Sequence, residues 1–400
     1  MKIAVVTNLY PPINRGGAGV VAQRIVGELV RRGHSVVVIS TMPMEAGATS
    51  PEVRESLGET VYRFFPLNIY HTLRDFRYPY FVRLVWHLID LFSESSAKRV
   101  ESILRVEKPE IVLTHNLKGI GLRVPSVFKK LGLPWIHTVH DVQLSVPSGL
   151  LIYGHKLNWF ERIFRRPYEW AVKKMMDEPD LVISPSKFLA DFYFERGFFR
   201  KTKVVVIPNP VPTLHVSPRG ERMPGPLRFL FIGQLERHKG TLELLEAINL
   251  LEIPFELHIA SEGTLAPLVK ERSKNDPRVI YHGFVSIKSL EQLFNIVDAV
   301  VVPSKCYENS PTIIYESLQS GLPVIASDIG GVGELIHDGK NGYLVEPGSG
   351  PALAETLRKF ATDVDFFRKH QEEIRASVAA YSLGSYVDGL EKIMVGMVKK

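Results

Sequence analysis

Residues 2–40 read KIAVVTNLYPPINRGGAGVVAQRIVGELVRRGHSVVVIS. An apolar run from Ile3 to Thr7 enters a loop of proline and glycine. Apolar residues at helical spacing follow, and a second apolar run covers Val36 to Ser40. Gly33 stands where the glycine that ends a helix belongs. This is a strand, helix, strand unit, and two parallel strands joined by a helix imply a sheet with helices on its faces. The same order returns in LRFLFIGQLERHKGTLELLEAINLLEIPFELHIAS, residues 227–261, with a helix expected from Thr241 and a strand from Phe255. Two doubly wound parallel-sheet α/β domains are the expected fold.

Between the two units lie six prolines, from Pro208 to Pro226. Proline fixes its own φ and disfavours helix in the residue before it, so this stretch reads as a linker. The expected domains are residues 1–210 and 211–379. Residues 351–400 have helical periodicity with no room for another sheet, and a last helix over about 380–400 is expected to cross back to the first domain.

A chain of 400 residues with 45% hydrophobic and 23% charged positions is neither disordered nor fibrous. The apolar stretch from Leu84 to Phe92 is interrupted by His87 and Asp90 and is too short to span a bilayer. The N-terminus lacks the pattern of a secretory signal, and a cytoplasmic protein is expected. The single cysteine, Cys306, makes neither an intramolecular disulfide nor a cysteine metal cluster, and no metal-ligand spacing occurs elsewhere. Residues 1–210 carry 29 Lys+Arg against 19 Asp+Glu, whereas the remainder carries 20 against 24. A basic front half calls for an anionic partner, whether nucleic acid, lipid headgroups or a phosphorylated substrate, and charge alone does not choose among them.

Residues 301–348, VVPSKCYENSPTIIYESLQSGLPVIASDIGGVGELIHDGKNGYLVEPG, carry the chemistry. A strand ends at Pro303, a loop holds Glu308, and a helix starts near Pro311, a residue suited to a first helical turn. The amides of Asn309, Ser310, Thr312 and Ile313 around Pro311 make this helix start a site for phosphate. Glu308 lies in the loop and Glu316 two turns into the helix, flanking that site with carboxylates able to accept hydrogen bonds from sugar hydroxyls. In GQLERHKG, residues 233–240, Lys239 beside Gly240 is a compact cation in reach of a diphosphate.

The pair of glutamates with seven residues between them, followed by SGLPVIASDIGG, GELI and NGYLV, resembles the donor-sugar signature of the GT-B glycosyltransferases, and within them glycosyltransferase family 4. That resemblance implies two Rossmann-like domains facing a central cleft, with a nucleotide-sugar held mainly by the second domain and the acceptor by the first. It makes Glu316 the ligand of the ribose hydroxyls, Glu308 the ligand of the transferred sugar, and the amides after Glu308 the contact to sugar and phosphates. GQLERHKG resembles the family segment whose Arg and Lys neutralise the departing diphosphate; here Gln234 replaces the usual Arg, and Arg237 is the candidate substitute. In PPINRGGAGVV, residues 11–21, Gly16, Gly17 and Gly19 fall between the first strand and its helix, a turn that the resemblance places opposite the donor phosphates.

Three further segments fit the same likeness. PWIHTVHDVQ, residues 134–143, reads as a strand ending in a His-Asp pair; His140 resembles the active-site histidine that contacts the transferred sugar, and Asp141 follows it on the acceptor side. His115 in VLTHNLKG is a similar strand-end residue. In YHGFVSIKSLEQLF, residues 281–294, Gly283, Phe284 and Val285 are candidates for backbone contact with the nucleobase, an apolar pocket wall being the other reading. Ser261 stands where relatives commonly have a glycine, and a differently built loop is expected there.

The stretches FRYPYFVRLVW (76–86) and FYFERGFFRKTK (192–203) mix aromatic and basic residues. Such stretches lie in the headgroup region of a bilayer or form core aromatics with solvated charges. The family resemblance implies transfer of a hexose with retention of configuration, catalysed around His140, Glu308 and Lys239, with no required metal or cofactor. The expected partners are a nucleotide-sugar, a saccharide or lipid-linked acceptor and an anionic membrane surface on the inner face of the cell membrane, but no nucleic acid. An epimerase or hydrolase of the same fold, a nicotinamide-dependent oxidoreductase and a non-enzymatic anionic-lipid or nucleic-acid binder are the competing readings. The oxidoreductase leaves residues 301–348 unexplained and lacks the acidic residue after the second strand.

Overall fold

The computed structural model describes residues 1–13, 17–44, 52–56, 58–155, 159–176, 178–211 and 225–398. It divides into two compact units, Met1–Leu150 with Lys156–Pro210 and Leu383–Lys400, and Leu151–His155 with Val211–Ser382. The short segment Leu151–His155, expected in the first domain, belongs to the second. The Tyr307 amide donates to the Leu151 carbonyl at 2.8 Å and the Tyr153 amide to the Lys305 carbonyl at 2.7 Å.

The first unit contains β1 (Lys2–Val6), β2 (Ser35–Thr41), β3 (Glu52–Ser56), β4 (Glu59–Phe64), β5 (Ile111–Thr114), β6 (Trp135–Thr138), β7 (Leu181–Ser184) and β8 (Lys203–Val206). They form one sheet in the order β3-β4-β2-β1-β5-β6-β7-β8, parallel throughout except for β3 against β4. The central strands are buried on both faces, so they read as continuous apolar runs. Helix Gly17–Arg31 buries Val21, Ile25 and Leu29 against them, the apolar stripe expected from its periodicity. Gly17 and Gly19, expected in the preceding loop, instead lie in this helix's first turn. The terminal helix Leu383–Val398 adds Tyr386, Val387, Leu390 and Met394 to the same core.

The second unit contains β9 (Leu227–Phe231), β10 (Phe255–Ile259), β11 (Val279–Tyr281), β12 (Ala299–Val302), β13 (Val324–Ser327) and β14 (Gly342–Val345). Their order is β11-β10-β9-β12-β13-β14, all parallel, which is the dinucleotide-fold order with its reversal between β9 and β12. Helix Gly350–Lys369 covers one face through Leu353, Leu357, Phe360 and Phe367.

The second basic-aromatic stretch is core. Phe192, Tyr193, Phe198 and Phe199 are buried and packed ring on ring, which leaves only Phe194 of its aromatics exposed.

Candidate active site

In open parallel sheets, ligands gather beyond the carboxyl ends of the strands where the strand order reverses. In the second unit that point lies after β9 and β12, and the loops leaving these two strands carry Lys239 and Glu308. The Lys239 ammonium lies 2.5 Å from Glu308 Oε1. Ser304 Oγ donates to the same carboxylate oxygen at 2.8 Å, and the Cys306 thiol does so at 3.6 Å. Burial opposes ionisation of Glu308, but the Lys239 charge and these hydrogen bonds outweigh it and hold its carboxyl below the usual range. Burial also acts against the Lys239 charge, and Glu308 more than restores it. Burial and the neighbouring Glu308 push the Cys306 thiol up to about 12, so it remains a donor at neutral pH.

Two glycines set this geometry. Gly240, at φ 76°, lies so close to the end of β12 that a Cβ would sit 1.8 Å from the Pro303 carbonyl oxygen. Gly330, at φ 64°, lies against Glu308, where a Cβ would sit 2.2 Å from its carbonyl oxygen. The next residue, Gly331, donates its amide to that oxygen at 2.7 Å. The His238 carbonyl accepts from the amides of Lys305 and Cys306 at 2.9 and 3.0 Å, which ties the β9 loop to the β12 loop. These contacts explain the glycines at 240 and in SDIGG by close backbone approach.

The helix after Glu308 runs Thr312–Gln319. Pro311 is its N-cap, one position before the expected first turn, and supplies no side-chain cap. The partial positive charge of the helix start is therefore not offset by a capping side chain at Pro311. Asn309 and Ser310 lead into it; Ser310 Oγ lies 2.7 Å from the Tyr315 hydroxyl. Ile313 and Glu316 are half-buried on the helix.

The β9 loop is built from Gln234 to Gly240. Gln234 is exposed, and Arg237 is exposed with no ion pair among the described residues. Glu236 braces the loop by accepting from the amide and hydroxyl of Thr264 at 3.1 and 2.6 Å. Ser261 hydrogen-bonds through its hydroxyl to the Gly233 carbonyl, the local device at the position where a glycine was absent. Gly283 has φ 67°, Phe284 is 84% exposed and Val285 packs on the core. This turn follows β11, on the same side of the sheet as the Lys239 loop.

In the first unit the reversal lies between β1 and β5. His115 follows β5 directly, and its Nδ1 lies 2.7 Å from His140 Nε2, with the two rings stacked at 5.0 Å. Burial pushes the His140 imidazole down to about 4 and His115 well below the usual histidine value, so both are neutral and one ring nitrogen donates to the other. Asp141 points elsewhere. Its carboxylate accepts from the Gln143 amide at 2.8 Å and from the Asn116 side chain at 3.2 Å, bracing the loop after β6. His137, on β6 itself, was not singled out in the sequence; it lies 2.7 Å from Thr114 Oγ1, which in turn accepts from the Trp135 indole at 2.7 Å. Gly17 opens its helix, and Gly16 lies outside the described residues. Among the described residues no group of three or more His, Cys, Asp or Glu is arranged to hold a metal ion, and no helix is long and apolar enough to cross a membrane.

Two parallel-sheet domains of this type, each with polar residues gathered where its strand order reverses, define the GT-B class of glycosyltransferases. Residues 15–214 match the family described as Glycosyltransferase Family 4, and residues 226–363 match Glycosyl transferases group 1. An uncharacterised 42.6 kDa protein from the cps region of Klebsiella pneumoniae is 28% identical over 86% of this chain and 90% of its own length. The glycogen synthase of Mycobacterium tuberculosis is 24% identical over 91% of this chain and 86% of its own. Among solved structures, sucrose-phosphate synthase from Thermosynechococcus elongatus superposes with a TM-score of 0.76 at 18% identity, over 98% of each chain. HepE of Anabaena in complex with UDP does so at 0.71 and 17% identity, over 99% of this chain and 100% of that one. The chain belongs to the family 4, group 1 glycosyltransferases.

Proposed function

We propose that this glycosyltransferase moves a hexose from a nucleoside-diphosphate sugar to a hydroxyl of a saccharide or lipid-linked acceptor, with retention of configuration, without a metal, at the inner face of the cell membrane. The observation that carries the reading is the Lys239–Glu308 pair ahead of a helix whose N-cap offers no side chain. As the donor enters, Lys239 turns from Glu308 to the diphosphate, and Glu308, freed of its cation, accepts the hydroxyl hydrogens of the sugar. The helix amides from Thr312 and the cation share the charge that grows on the leaving group. Glu316 holds the ribose, the Gly283–Val285 turn meets the base, and exposed Arg237 stands in for the arginine missing at Gln234. Neutral His140, with its tautomer fixed by His115, hydrogen-bonds the transferred sugar.

The bond from the anomeric carbon to the diphosphate breaks while the acceptor oxygen bonds to that carbon from the same face. The acceptor proton passes to the departing diphosphate. That HepE was solved with UDP, and that a relative is a glycogen synthase, supports a nucleotide-linked hexose as donor. Thermal melting against UDP, GDP, ADP and their common sugars tests the reading. One nucleotide series should raise the melting temperature, and indifference to all of them would overturn it.

A further inference from the structure

Helix Tyr80–Leu91, which includes most of the first basic-aromatic stretch, carries an exposed apolar face. Phe81, Val85, Leu88, Ile89 and Phe92 recur along one side of the helix, and all are exposed, Phe81 by 68%. The opposite side is firmly held. Trp86 is fully buried, its indole donating to the Tyr70 carbonyl at 2.7 Å, and the Asp90 carboxylate accepts from the Gly119 amide at 2.9 Å. The exposed side is thus the outer face of a well-anchored helix.

The neighbouring helix Trp159–Met176 packs against it and exposes Ile163, Phe164 and Trp170, the last by 65%. It also exposes Arg166 and Lys174, whose ammonium lies 5.4 Å over the Trp170 ring. Just before the first helix, the short 3-10 helix Thr72–Arg77 exposes Arg74 and Arg77. Among the described side chains of the two longer helices, the carboxylates of Asp90 and Glu169 are both buried. Glu94, beyond the end of the first helix, is exposed but ion-paired with Arg123 at 2.5 Å. An apolar face flanked by the exposed cations Arg74, Arg77, Arg166 and Lys174 is complementary to an anionic bilayer.

We propose that this face docks on an anionic lipid surface. Phe81, Val85, Leu88, Ile89, Phe92 and Trp170 enter the boundary of the acyl chains, and the basic residues stay at phosphate level. Asp90 joins the docked helix to the loop that starts at His115, both through the Gly119 amide and through its own carbonyl, which accepts from the Leu122 amide at 3.3 Å. Docking therefore holds the acceptor-side loop at the membrane. The inference deepens the acceptor reading above, and lipid binding is measurable without any transfer reaction.

Flotation of the full chain with vesicles of phosphatidylcholine, alone or mixed equally with phosphatidylglycerol, tests it. The protein should rise with the mixed vesicles and remain behind with the neutral ones. Val85→Ser/Leu88→Gln should weaken binding by about tenfold or more. Arg166→Gln/Lys174→Gln should weaken it by about fivefold for each charge removed. Phe81→Ser provides an independent single change at the most exposed of these positions. All three variants should keep the wild-type melting temperature and nucleotide affinity, which separates lost docking from lost folding. The proposal is overturned if the wild type ignores mixed vesicles, or if the variants float as well as it does. It is overturned equally if the apolar variant merely converts a lipid-independent dimer to monomer. Failure of nucleotide binding in the wild type would sink the donor reading and leave the flotation result standing.

Discussion

The Lys239 ammonium and Glu308 Oε1, 2.5 Å apart, join the loops that follow β9 and β12, two strands adjacent in the sheet but far apart in the chain. Both side chains are largely buried, so the pair acts as a latch between the two loops while keeping both charges. Removing one partner leaves the other's charge uncompensated.

Lys239→Ala should therefore destabilise the protein by about 3 kcal/mol, the usual cost of stranding a buried charge. It should also abolish measurable nucleoside-diphosphate binding. The double change Lys239→Met/Glu308→Gln removes both charges, and most of the stability should return while binding does not. Melting curves with and without nucleotide separate the two effects; a double variant that melts as low as Lys239→Ala would contradict the latch.

Gly240→Ala and Gly330→Ala should each destabilise by more than the roughly 1–2 kcal/mol of a left-handed alanine, since the added methyl also meets a carbonyl oxygen. Stable Gly330→Ala protein with wild-type donor affinity would show that Glu308 is not positioned through its backbone. Denaturant unfolding and nucleotide titration on the same samples are sufficient.

Much of this was legible in the chain. Alternating apolar runs and helical stripes mark β1, β2, β9 and β10, because strands buried on both faces must be apolar throughout. Glu308, Glu316 and Lys239 stood out by spacing and by the glycines around them. The partners of these residues did not. Ser304 and Cys306 hold Glu308 through a loop conformation, and no periodicity encodes that conformation. The pairing of Leu151–His155 with the Lys305–Tyr307 segment joins positions some 150 residues apart. His137 sits mid-strand, where its role depends on Thr114 and Trp135 from neighbouring positions in space. Residues 76–86 and 192–203 have similar composition, yet Phe81 is exposed while Trp86, Phe192, Tyr193, Phe198 and Phe199 are buried, because burial is decided by which side of an element faces the core.

The histidines give a pH signature. Burial pushes His140 and His71 down to about 4 and His137 and His87 to about 3. Below the unfolded value near 6.5 the unfolded chain takes up protons that the native state refuses, so stability falls as pH falls. Asp90, raised to about 7 by burial, and Asp141, also raised by burial, act in the opposite direction, but they are outnumbered by these four histidines and His115. Between pH 6.5 and 5 stability should drop, with each neutral histidine contributing up to about 1.4 kcal/mol per pH unit. His137→Gln should flatten the slope; a slope unchanged in that variant would mean that His137 is protonated when folded.

Glu316→Ala should lower the melting temperature by no more than a few degrees, the usual cost of a substitution at a half-buried position. Nucleotide affinity should fall by about tenfold or more with the loss of a charged hydrogen-bond acceptor. Calorimetric titration reads this directly, and equal affinity would remove Glu316 from the ribose site.

In the proposed site the loops after β9 and β12 bind a nucleoside diphosphate through Lys239. Titration of UDP, GDP and ADP into wild type and Lys239→Ala, followed by melting, tests it most directly. One nucleotide should bind the wild type and, at about 100 times its dissociation constant, stabilise it by about 2.7 kcal/mol, with no effect on the variant. Wild-type protein indifferent to all three, or a variant that binds as tightly, would contradict the account.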